Sequence, residues 1–312
     1  MRGIGRPRMR VVVDNDFSGD PDGLLQLLHH VLSPSVDIRA IIGSAVRADD
    51  PFDPSGRSAD NARAEVVELL GLMGLAERIV ACAGSNLPLA DRRTPQPSAG
   101  ADALVAEAMR TDTDLPLFAV FGASLTQLAS AYLLEPRIAE RLTAVWIGGP
   151  EHPGVPAPPG GDVTEYNLRI DVTAAQVVFN DSPIPLWQVP RNAYRQALMS
   201  TAELEAYVRP AGAAGAHVYE RIQRVFELAA GAGLNIGETY IQGDNPLVLL
   251  TALQSSFEAD PSSSRYATVP APAIDDAGRY AEPTSPRPIR VYTDLDVRLM
   301  FQDLYAKLAT HR

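Results

Sequence analysis

The sequence predicts an α/β fold of the Rossmann-like type, with a mostly parallel central sheet and helices on both faces. Apolar, β-branched runs of strand length alternate along the chain with longer segments in which leucine and alanine recur at helical spacing. No internal repeat and no long linker interrupts this alternation. The order strand, helix, strand favours parallel pairing, with the connecting helices covering the sheet.

The individual elements follow from the same patterns, in chain order. The predicted strands are Arg10–Val13, Val36–Ile42, Ile79–Ala81, Leu117–Phe121, Ala144–Ile147, Ile184–Trp187 and a closing Ile289–Tyr292. The predicted helices are Pro21–Leu32, Ser58–Leu70, Ala101–Met109, Ser124–Leu134, Thr173–Phe179, Thr201–Val208, Ala214–Ala230, Asn245–Gln254 and Val297–Leu308. Three Pro- and Gly-rich stretches, 49–56, 152–161 and 260–288, read as surface loops rather than domain boundaries. We therefore expect residues 1–312 to form a single domain.

Composition excludes several classes of function. A formal net charge of -11 argues against a nucleic-acid-binding surface, which needs clustered Lys and Arg. The single cysteine, Cys82, excludes an intrachain disulfide and a cysteine-based metal site, and its apolar run predicts a buried strand residue. No apolar run approaches the length of a membrane span or of a signal-peptide core. The expectation is a cytoplasmic protein with no nucleic-acid or membrane partner.

The strongest chemical signal lies near the N-terminus, in the acidic loop. The apolar run Val11–Val13 ends in four carboxylates within nine residues, at positions 14, 16, 20 and 22. Ligands of open α/β sheets bind at the carboxyl ends of strands. Crowded carboxylates repel one another unless a cation lies among them, and Ca²⁺ or Mg²⁺ with oxygen ligands is the simplest explanation. A structural interpretation stays open, because Asp20-Pro21 also fits a helix start with Asp20 as the N-cap.

Other segments place small or polar residues at predicted strand ends or helix starts. They are Phe121–Thr126, Trp146–Pro150, Thr164–Asn167 and Gly243–Pro246. Glycine at such places lets the backbone approach a ligand closely. An Asp before Asn-Pro is also typical of a helix cap, so Asp244 alone decides little. Together the segments predict a rim of carboxylates, amides and glycines above one sheet.

This ordered set resembles the inosine–uridine-preferring nucleoside hydrolases over nearly the whole chain. The family opens with a strand and a loop of the type Asp-x-Asp-Pro-Gly-x-Asp-Asp, whose spacing Asp14, Asp16 and Asp20 keep. Its later segments are matched in order by Leu125-Thr126-Gln127 with Leu134–Ile138, by Gly148-Gly149, by Glu165-Tyr166-Asn167 with Asp171 and Ala174-Ala175, and by Asp244. Five matches in the family's order are more specific than any one motif.

The resemblance implies a Ca²⁺ ion at the bottom of a pocket. Its implied ligands are Asp16, Asp22, Asp244 and the backbone carbonyl of Gly122. The ion would hold a water molecule and the ribose hydroxyls, and Asp20 occupies the position of the family's general base. The implied reaction is hydrolysis of the N-glycosidic bond of a ribonucleoside, or a related riboside, to ribose and the free base.

The resemblance also implies substrate contacts and an assembly. Glu165 and Asn167 would bind the far side of the sugar, and Asp14 would brace the loop or the ribose. Ser44 stands where the family has a ribose-contacting Asn. The expected partner is a small nucleoside or riboside, and the expected assembly is a homodimer or homotetramer.

Two departures from the family concern the loop and the leaving base. Pro21 separates Asp20 from Asp22, where the family has adjacent acids. Gly243 stands where many members carry a histidine that protonates the leaving base. The remaining candidates on the leaving-group side are His217, Tyr219, Glu238 and Tyr240.

Two other functions compete with hydrolysis of a riboside. The missing leaving-group histidine suggests a non-catalytic riboside-binding protein, although a pure binder does not need Asp20. A phosphatase of the haloacid dehalogenase type would use Asp14 as nucleophile and Asp16 as acid, with Mg²⁺. That class expects a second late Asp where Val248 stands and a Lys before it, whereas the first lysine of this chain is Lys307.

Overall fold

The computed structural model describes residues 6–159, 164–255, 263–283 and 287–311. Within these ranges the strands are β1 (Met9–Asn15), β2 (Val36–Gly43), β3 (Ala81–Ala83), β4 (Leu117–Phe121), β5 (Leu142–Ile147), β6 (Leu186–Val189), β7 (Leu198–Ser200), β8 (Thr239–Ile241), β9 (Arg265–Pro270), β10 (Ala273–Ile274), β11 (Tyr280–Ala281) and β12 (Pro288–Asp294). The α-helices are α1 (Asp22–Val31), α2 (Ser58–Leu72), α3 (Ala99–Ala108), α4 (Thr126–Leu134), α5 (Tyr166–Ile170), α6 (Val172–Gln176), α7 (Arg191–Tyr194), α8 (Thr201–Glu203), α9 (Gly212–Gly231), α10 (Pro246–Leu249) and α11 (Val297–Thr310). Short π-helical segments, Val177–Asp181 and Leu204–Val208, continue α6 and α8.

The central sheet has eight strands in the order β3-β2-β1-β4-β5-β6-β12-β9. All its neighbouring pairs are parallel except β12 with β9, which are antiparallel. Successive residues of β1 point to opposite faces: Val11 and Val13 belong to one buried apolar cluster and Val12 to the other. Because helices pack against both clusters, the predicted α/β fold class is confirmed.

The strand order reverses between β1 and β4, which are neighbours in the sheet. From β1 the chain moves to β2 and β3 on one side, and from β4 to β5 and β6 on the other. The connecting loops therefore diverge at the carboxyl ends of β1 and β4 and leave a crevice between them. Ligands of open α/β sheets bind at such a reversal.

Several predicted boundaries are wrong by one or two residues. β1 continues through Asp14 and Asn15, and β3, at the edge of the sheet, begins only at Ala81, after the exposed Val80. α1 begins at Asp22 after Pro21, with no side-chain cap. The backbone N–H of Asp22 interacts with the Asp20 carboxylate, so the interpretation of Asp20 as a helix cap stays a prediction.

Two larger predictions also fail. The expected helix Asn245–Gln254 has only four helical residues, Pro246–Leu249, before it breaks into turns. The stretch 260–288 contains strand β9, which pairs with β12 at the edge of the sheet. Most β9 side chains are exposed, so the alternation of apolar and polar residues that marks a half-buried strand is missing. None of the helices in the described ranges combines the length and apolarity that a bilayer span requires.

Candidate active site

A pocket of about 240 Å³ opens at the carboxyl ends of β1, β4 and β5. It contains seven of the residues that the sequence singled out: Asp16, Asp20, Asp22, Gly122, Glu165, Asn167 and Asp244. Its other lining residues are Ile147, Tyr166, Tyr194, Arg195, Ile241 and Gly243. The segments far apart in sequence therefore converge on one site, as expected for ends of parallel strands.

The acidic loop turns sharply as soon as β1 ends. The Gly19 N–H donates to the Asp16 carbonyl at 2.7 Å, which closes the turn. A Cβ atom at position 19 would lie 2.7 Å from Val46 Cγ1, so the tight turn needs a residue without a side chain. This turn lets Asp16 and Asp22 line the same pocket although Pro21 lies between Asp20 and Asp22.

The buried aspartates of this pocket have few hydrogen-bond donors. Asp16 is 7% exposed, and no described side chain donates to its carboxylate. Asp22 accepts from the Asp244 N–H at 3.1 Å, and Asp244 accepts from Asn15 Nδ2 at 2.8 Å. The one basic side chain among the described residues that line the pocket is Arg195, which is exposed. The negative charge is thus not matched by the protein.

Burial and mutual repulsion raise the pKa values of these carboxyl groups. Burial, followed by the charge of Asp244, raises the pKa of both Asp16 and Asp22 well above the ordinary range. Burial also raises the pKa of Asp244 to about 7. The carboxyl groups would hold protons at neutral pH unless a cation replaced them.

Asp20 differs from its neighbours because it lies at the mouth of the pocket and is exposed. Its carboxylate accepts a short hydrogen bond from the Tyr240 hydroxyl. The surrounding protein still limits hydration of the carboxylate and raises the pKa of Asp20 to about 6, while the Tyr240 hydrogen bond lowers it. Asp20 therefore lies where a substrate or water molecule can reach it.

The donor set fits a hard divalent cation. Every candidate ligand is an oxygen, as Ca²⁺ and Mg²⁺ prefer. The Gly122 carbonyl accepts from Asn167 Nδ2 at 2.9 Å, and a carbonyl oxygen has a second lone pair for another partner. No three carboxylates of this pocket have ligand atoms all within 4.8 Å of one another, so an ion would draw them together.

Glu165 and Asn167 are held firmly on the opposite wall. Glu165 is 1% exposed and accepts four hydrogen bonds, from the N–H groups of Gly149, Asn167 and Leu168 and from the Tyr194 hydroxyl. Burial raises the pKa of Glu165, and these donors oppose the rise. Asn167 donates to two carbonyls, and none of the described residues donates to its Oδ1. On this wall Asn167 keeps a free acceptor, whereas Glu165 is already saturated.

Asp14 and Ser44 lie beneath the pocket and are not among its lining residues. Both are fully buried, and the Ser44 hydroxyl donates to Asp14 Oδ1 at 2.5 Å. Burial raises the pKa of Asp14 to about 8, and no described residue is a hydrogen-bond partner of Asp14 Oδ2. Their positions suit bracing of the loop from below rather than contact with a bound molecule.

The four candidates for the leaving-group side lie in different parts of the structure. Tyr240 contacts Asp20, as described above, whereas Tyr219 donates to Glu205 at 2.6 Å and Glu238 is exposed. His217, on α9, faces α2, with Nε2 3.7 Å from Glu65 and Nδ1 3.7 Å from Glu68. None of the four candidates is among the described residues that line the pocket, and Tyr240 alone of the four hydrogen-bonds to a lining residue, Asp20.

His217, Glu65 and Glu68 also form the group of three possible metal ligands that lie within 4.8 Å of one another among the described residues. The two glutamates face opposite edges of the imidazole, and Arg221 Nη2 lies 2.5 Å from Glu65. A single ion cannot occupy both edges of one ring. The arrangement therefore fits a network of ion pairs better than a metal centre.

The sequence did not single out Tyr194 and Arg195, which line the pocket, or the hydrogen-bond partners of Tyr166 and Asp244. Tyr194 and Arg195 follow β6 through the short helix α7, and the end of β6 at this edge was an available signal. Tyr166 donates a short hydrogen bond to Asp50, and no pattern indicated that pair. Asn15 lies between two acids at a strand end, and it contacts Asp244.

Comparisons with known proteins agree with this site. A family model described as "Inosine-uridine preferring nucleoside hydrolase" matches residues 11–302. A curated protein of the same description from Leishmania major is 46% identical over 59 residues, which is 19% of this chain and 18% of that protein. The counterpart from Crithidia fasciculata is 44% identical over 66 residues, 21% of this chain and 18% of that protein. The chain thus aligns with less than a fifth of the length of these curated relatives.

Solved structures show the same fold over nearly the whole chain. A plant nucleoside hydrolase, PpNRh1, is similar with a TM-score of 0.72 at 17% identity, over 97% of this chain and 99% of that one. A purine-preferring ribonucleoside hydrolase from Gardnerella vaginalis gives the same TM-score and identity, over 97% and 98%. Because the family model spans most of the residues and the fold agrees, the chain belongs to the inosine–uridine-preferring nucleoside hydrolase family.

Proposed function

We propose that this protein hydrolyses the N-glycosidic bond of a ribonucleoside, or of a related riboside, with the help of Ca²⁺. The observation that carries the proposal is the set of buried carboxylates without a matching cation, at the strand reversal of a nucleoside hydrolase fold. Asp16, Asp22, Asp244 and the Gly122 carbonyl would hold the ion. When bound, the ion supplies a positive charge that lowers the pKa of a coordinated water.

Asp20 is proposed as the general base. It is the accessible carboxylate of the acidic loop, and its pKa of about 6 leaves it mostly ionised at neutral pH. A base with a pKa near the working pH combines availability with proton affinity. The Tyr240 hydroxyl donates to Asp20 and so orients its carboxylate for proton transfer from the attacking water.

Glu165, the one remaining carboxylate among the described residues that line the pocket, would stabilise the departing sugar. Hydrolysis of glycosidic bonds passes through a transition state with positive charge on the sugar ring. Fixed negative groups around that position stabilise the developing charge without having to reorganise. Asn167 would accept a hydrogen bond from a sugar hydroxyl through Oδ1. Asp14 and Ser44 would act from behind the pocket surface, because neither lines it.

The leaving-group side sets the expected substrate preference. Gly243 offers no proton donor, and Tyr240 is engaged with Asp20. We therefore expect ribosides whose leaving group departs readily to react faster than those that need protonation. A panel of purine and pyrimidine nucleosides, compared with p-nitrophenyl riboside, would establish the base preference.

The decisive variant is Asp20→Asn, assayed with p-nitrophenyl riboside, whose leaving group needs no acid. Loss of the base should lower kcat by about 10²–10⁴-fold. Ca²⁺ affinity, measured by calorimetry, should change little because Asp20 is not a proposed ligand. Asp112→Asn, on an exposed ion pair far from the pocket, is the matched control.

The same assay separates the competing functions. A protein that binds Ca²⁺ and riboside but releases no p-nitrophenolate is a binding protein, and the hydrolase proposal would be wrong. The phosphatase alternative needs Asp14 as a nucleophile, yet Asp14 is fully buried beneath the pocket. We also propose, from the family likeness, a homodimer or homotetramer in the cytoplasm, and sedimentation would measure the assembly.

A further inference from the structure

A chain of buried hydrogen bonds leads away from the pocket into the core. It begins at Asp244, whose Oδ2 accepts from Asn15 Nδ2 at 2.8 Å. The same Asn15 nitrogen lies 3.3 Å from Gln26 Oε1 on α1. Gln26 Nε2 makes a short contact with Nδ1 of His30, one helical turn further along α1. Asn15, Gln26 and His30 are all fully buried.

The chain ends on the backbone beyond α10. His30 Nε2 lies 2.9 Å from the Thr251 hydroxyl oxygen. That hydroxyl donates to the Leu247 carbonyl at 2.6 Å. Thr251 is also fully buried, so the hydrogen-bonded side chains from Asn15 to Thr251 are all shielded from solvent.

The two ends of this chain dictate the direction of every hydrogen bond in it. The Asp16 N–H can only donate, and it donates to Asn15 Oδ1 at 2.9 Å. Asn15 Nδ2 must therefore face Asp244 and Gln26 as the donor to both. Gln26 then turns its own NH₂ group toward His30, so His30 Nδ1 must be the acceptor.

The other end requires the same direction. With Nδ1 accepting, the neutral imidazole carries its proton on Nε2 and donates it to Thr251. Thr251 in turn donates to the Leu247 carbonyl, which can only accept. A protonated His30 would present a second donor to the Gln26 NH₂ group. Burial also lowers the pKa of His30 well below its ordinary value, which agrees with a neutral imidazole.

Two glycines hold Asn15 in place sterically. A Cβ atom at position 23 would lie 2.7 Å from Asn15 Nδ2, and one at position 122 would lie 2.3 Å from it. Both backbones therefore pack directly against the amide and leave no room for another rotamer. Gly122 is also the residue whose carbonyl is a proposed ligand, so Asn15 contacts two parts of the candidate metal site.

We propose that Asn15 is the positioning residue for Asp244, and that the chain through Gln26, His30 and Thr251 fixes Asn15 as a hydrogen-bond donor to that carboxylate. The inference rests on the proposed function, in which Asp244 binds the ion. With Oδ2 held by Asn15, Asp244 presents its other oxygen to the pocket in one orientation. Residues that orient metal ligands in this way typically contribute about 10–100-fold to metal affinity.

The test measures Ca²⁺ binding rather than activity. Asn15→Leu removes the donor at similar volume and should weaken the Ca²⁺ Kd, measured by calorimetry, by about 10–100-fold. Gln26→Met keeps the length of the side chain, removes its amide, and should weaken Kd in the same direction by a smaller factor. Asn180→Leu is the matched control, because Asn180 also hydrogen-bonds through both ends of its amide, to Ile274, on the opposite face of the sheet.

The possible outcomes are distinguishable. An unchanged Kd in Asn15→Leu overturns the inference and leaves the proposed function intact. If Asn15→Leu does not fold in EDTA, the Ca²⁺ Kd of Gln26→Met is used instead, and an unchanged value again overturns the inference. A parent protein without Ca²⁺ binding would overturn the proposed function and, with it, the positioning role. Nitrogen NMR of labelled histidine should find the His30 proton on Nε2, and a proton on Nδ1 would contradict the direction of the chain.

Discussion

Glu165 and the aspartates of the acidic loop line one pocket but are stabilised in opposite ways. Glu165 accepts four hydrogen bonds from the protein around it. Asp16 accepts none from a described side chain, and its closest electrostatic neighbours are other acids. Both carboxyl groups are nearly inaccessible to solvent.

The difference separates a structural acid from an acid kept for a ligand. A buried carboxylate is tolerable only if donors or a cation compensate for its lost hydration. Backbone N–H groups at the start of α5 already compensate Glu165, so it caps and anchors that helix. The protein does not compensate Asp16, Asp22 and Asp244 to the same extent, which is why we assign the ion to them.

The largest effect is expected from Asp16→Asn, which removes one charge from the uncompensated group. Ca²⁺ affinity should fall by more than about 10-fold, because a ligand contributes at least as much as the residues that orient it. Hydrolysis of p-nitrophenyl riboside should be lost at moderate Ca²⁺ concentrations. The stability of the metal-free protein should rise, since a repelling charge is gone. Unchanged Ca²⁺ binding would remove Asp16 from the ligand set.

A smaller effect is expected from Glu165→Gln, which alters the compensated acid. The new NH₂ group would face at least one main-chain N–H that now has an acceptor. Leaving such a group unpaired costs about 1–3 kcal/mol of unfolding free energy. Denaturant titration should detect this loss while the Ca²⁺ Kd stays near that of the parent, with exposed Glu238→Gln as control. A weakened Ca²⁺ Kd with an unchanged free energy of unfolding would show that Glu165 is a ligand of the ion.

A further effect concerns the pH dependence of the metal-free protein. Asp14 has a pKa of about 8 when folded against an ordinary value of 3.8, so the folded state binds the proton more tightly. Its contribution to unfolding free energy therefore decreases as pH rises from about 4 to about 8. In EDTA the Tm of the parent protein should fall as pH rises from 5 to 8, and the Tm of Asp14→Asn should fall less. Equal slopes for the two proteins would contradict the burial argument.

Much of the fold was predictable because it depends on local patterns. Apolar runs and turn residues identified β1, β2, β4, β5 and β12 and the long helices. β9 was missed because an exposed edge strand carries no apolar alternation. The helix expected at Asn245–Gln254 was overestimated because its apolar side chains are buried whether or not the backbone remains helical.

The sequence predicted which residues form the site, but it did not predict the side-chain contacts that fix their positions. Asp16, Asp22 and Asp244 converge because strand ends meet at one edge, and sequence order together with family likeness indicates that. The saturation of Glu165 and the burial of Ser44 depend on side-chain contacts that no spacing encodes. Asn15 shows this most clearly, since its partner Asp244 lies 229 positions away.

The most direct test is the release of p-nitrophenolate from p-nitrophenyl riboside by protein treated with EDTA, as Ca²⁺ is added back. We expect no release in EDTA and a recovery that saturates at the Ca²⁺ Kd measured by calorimetry. Full activity in EDTA, or none at saturating Ca²⁺, would contradict the assignment of this pocket as a Ca²⁺-dependent riboside hydrolase.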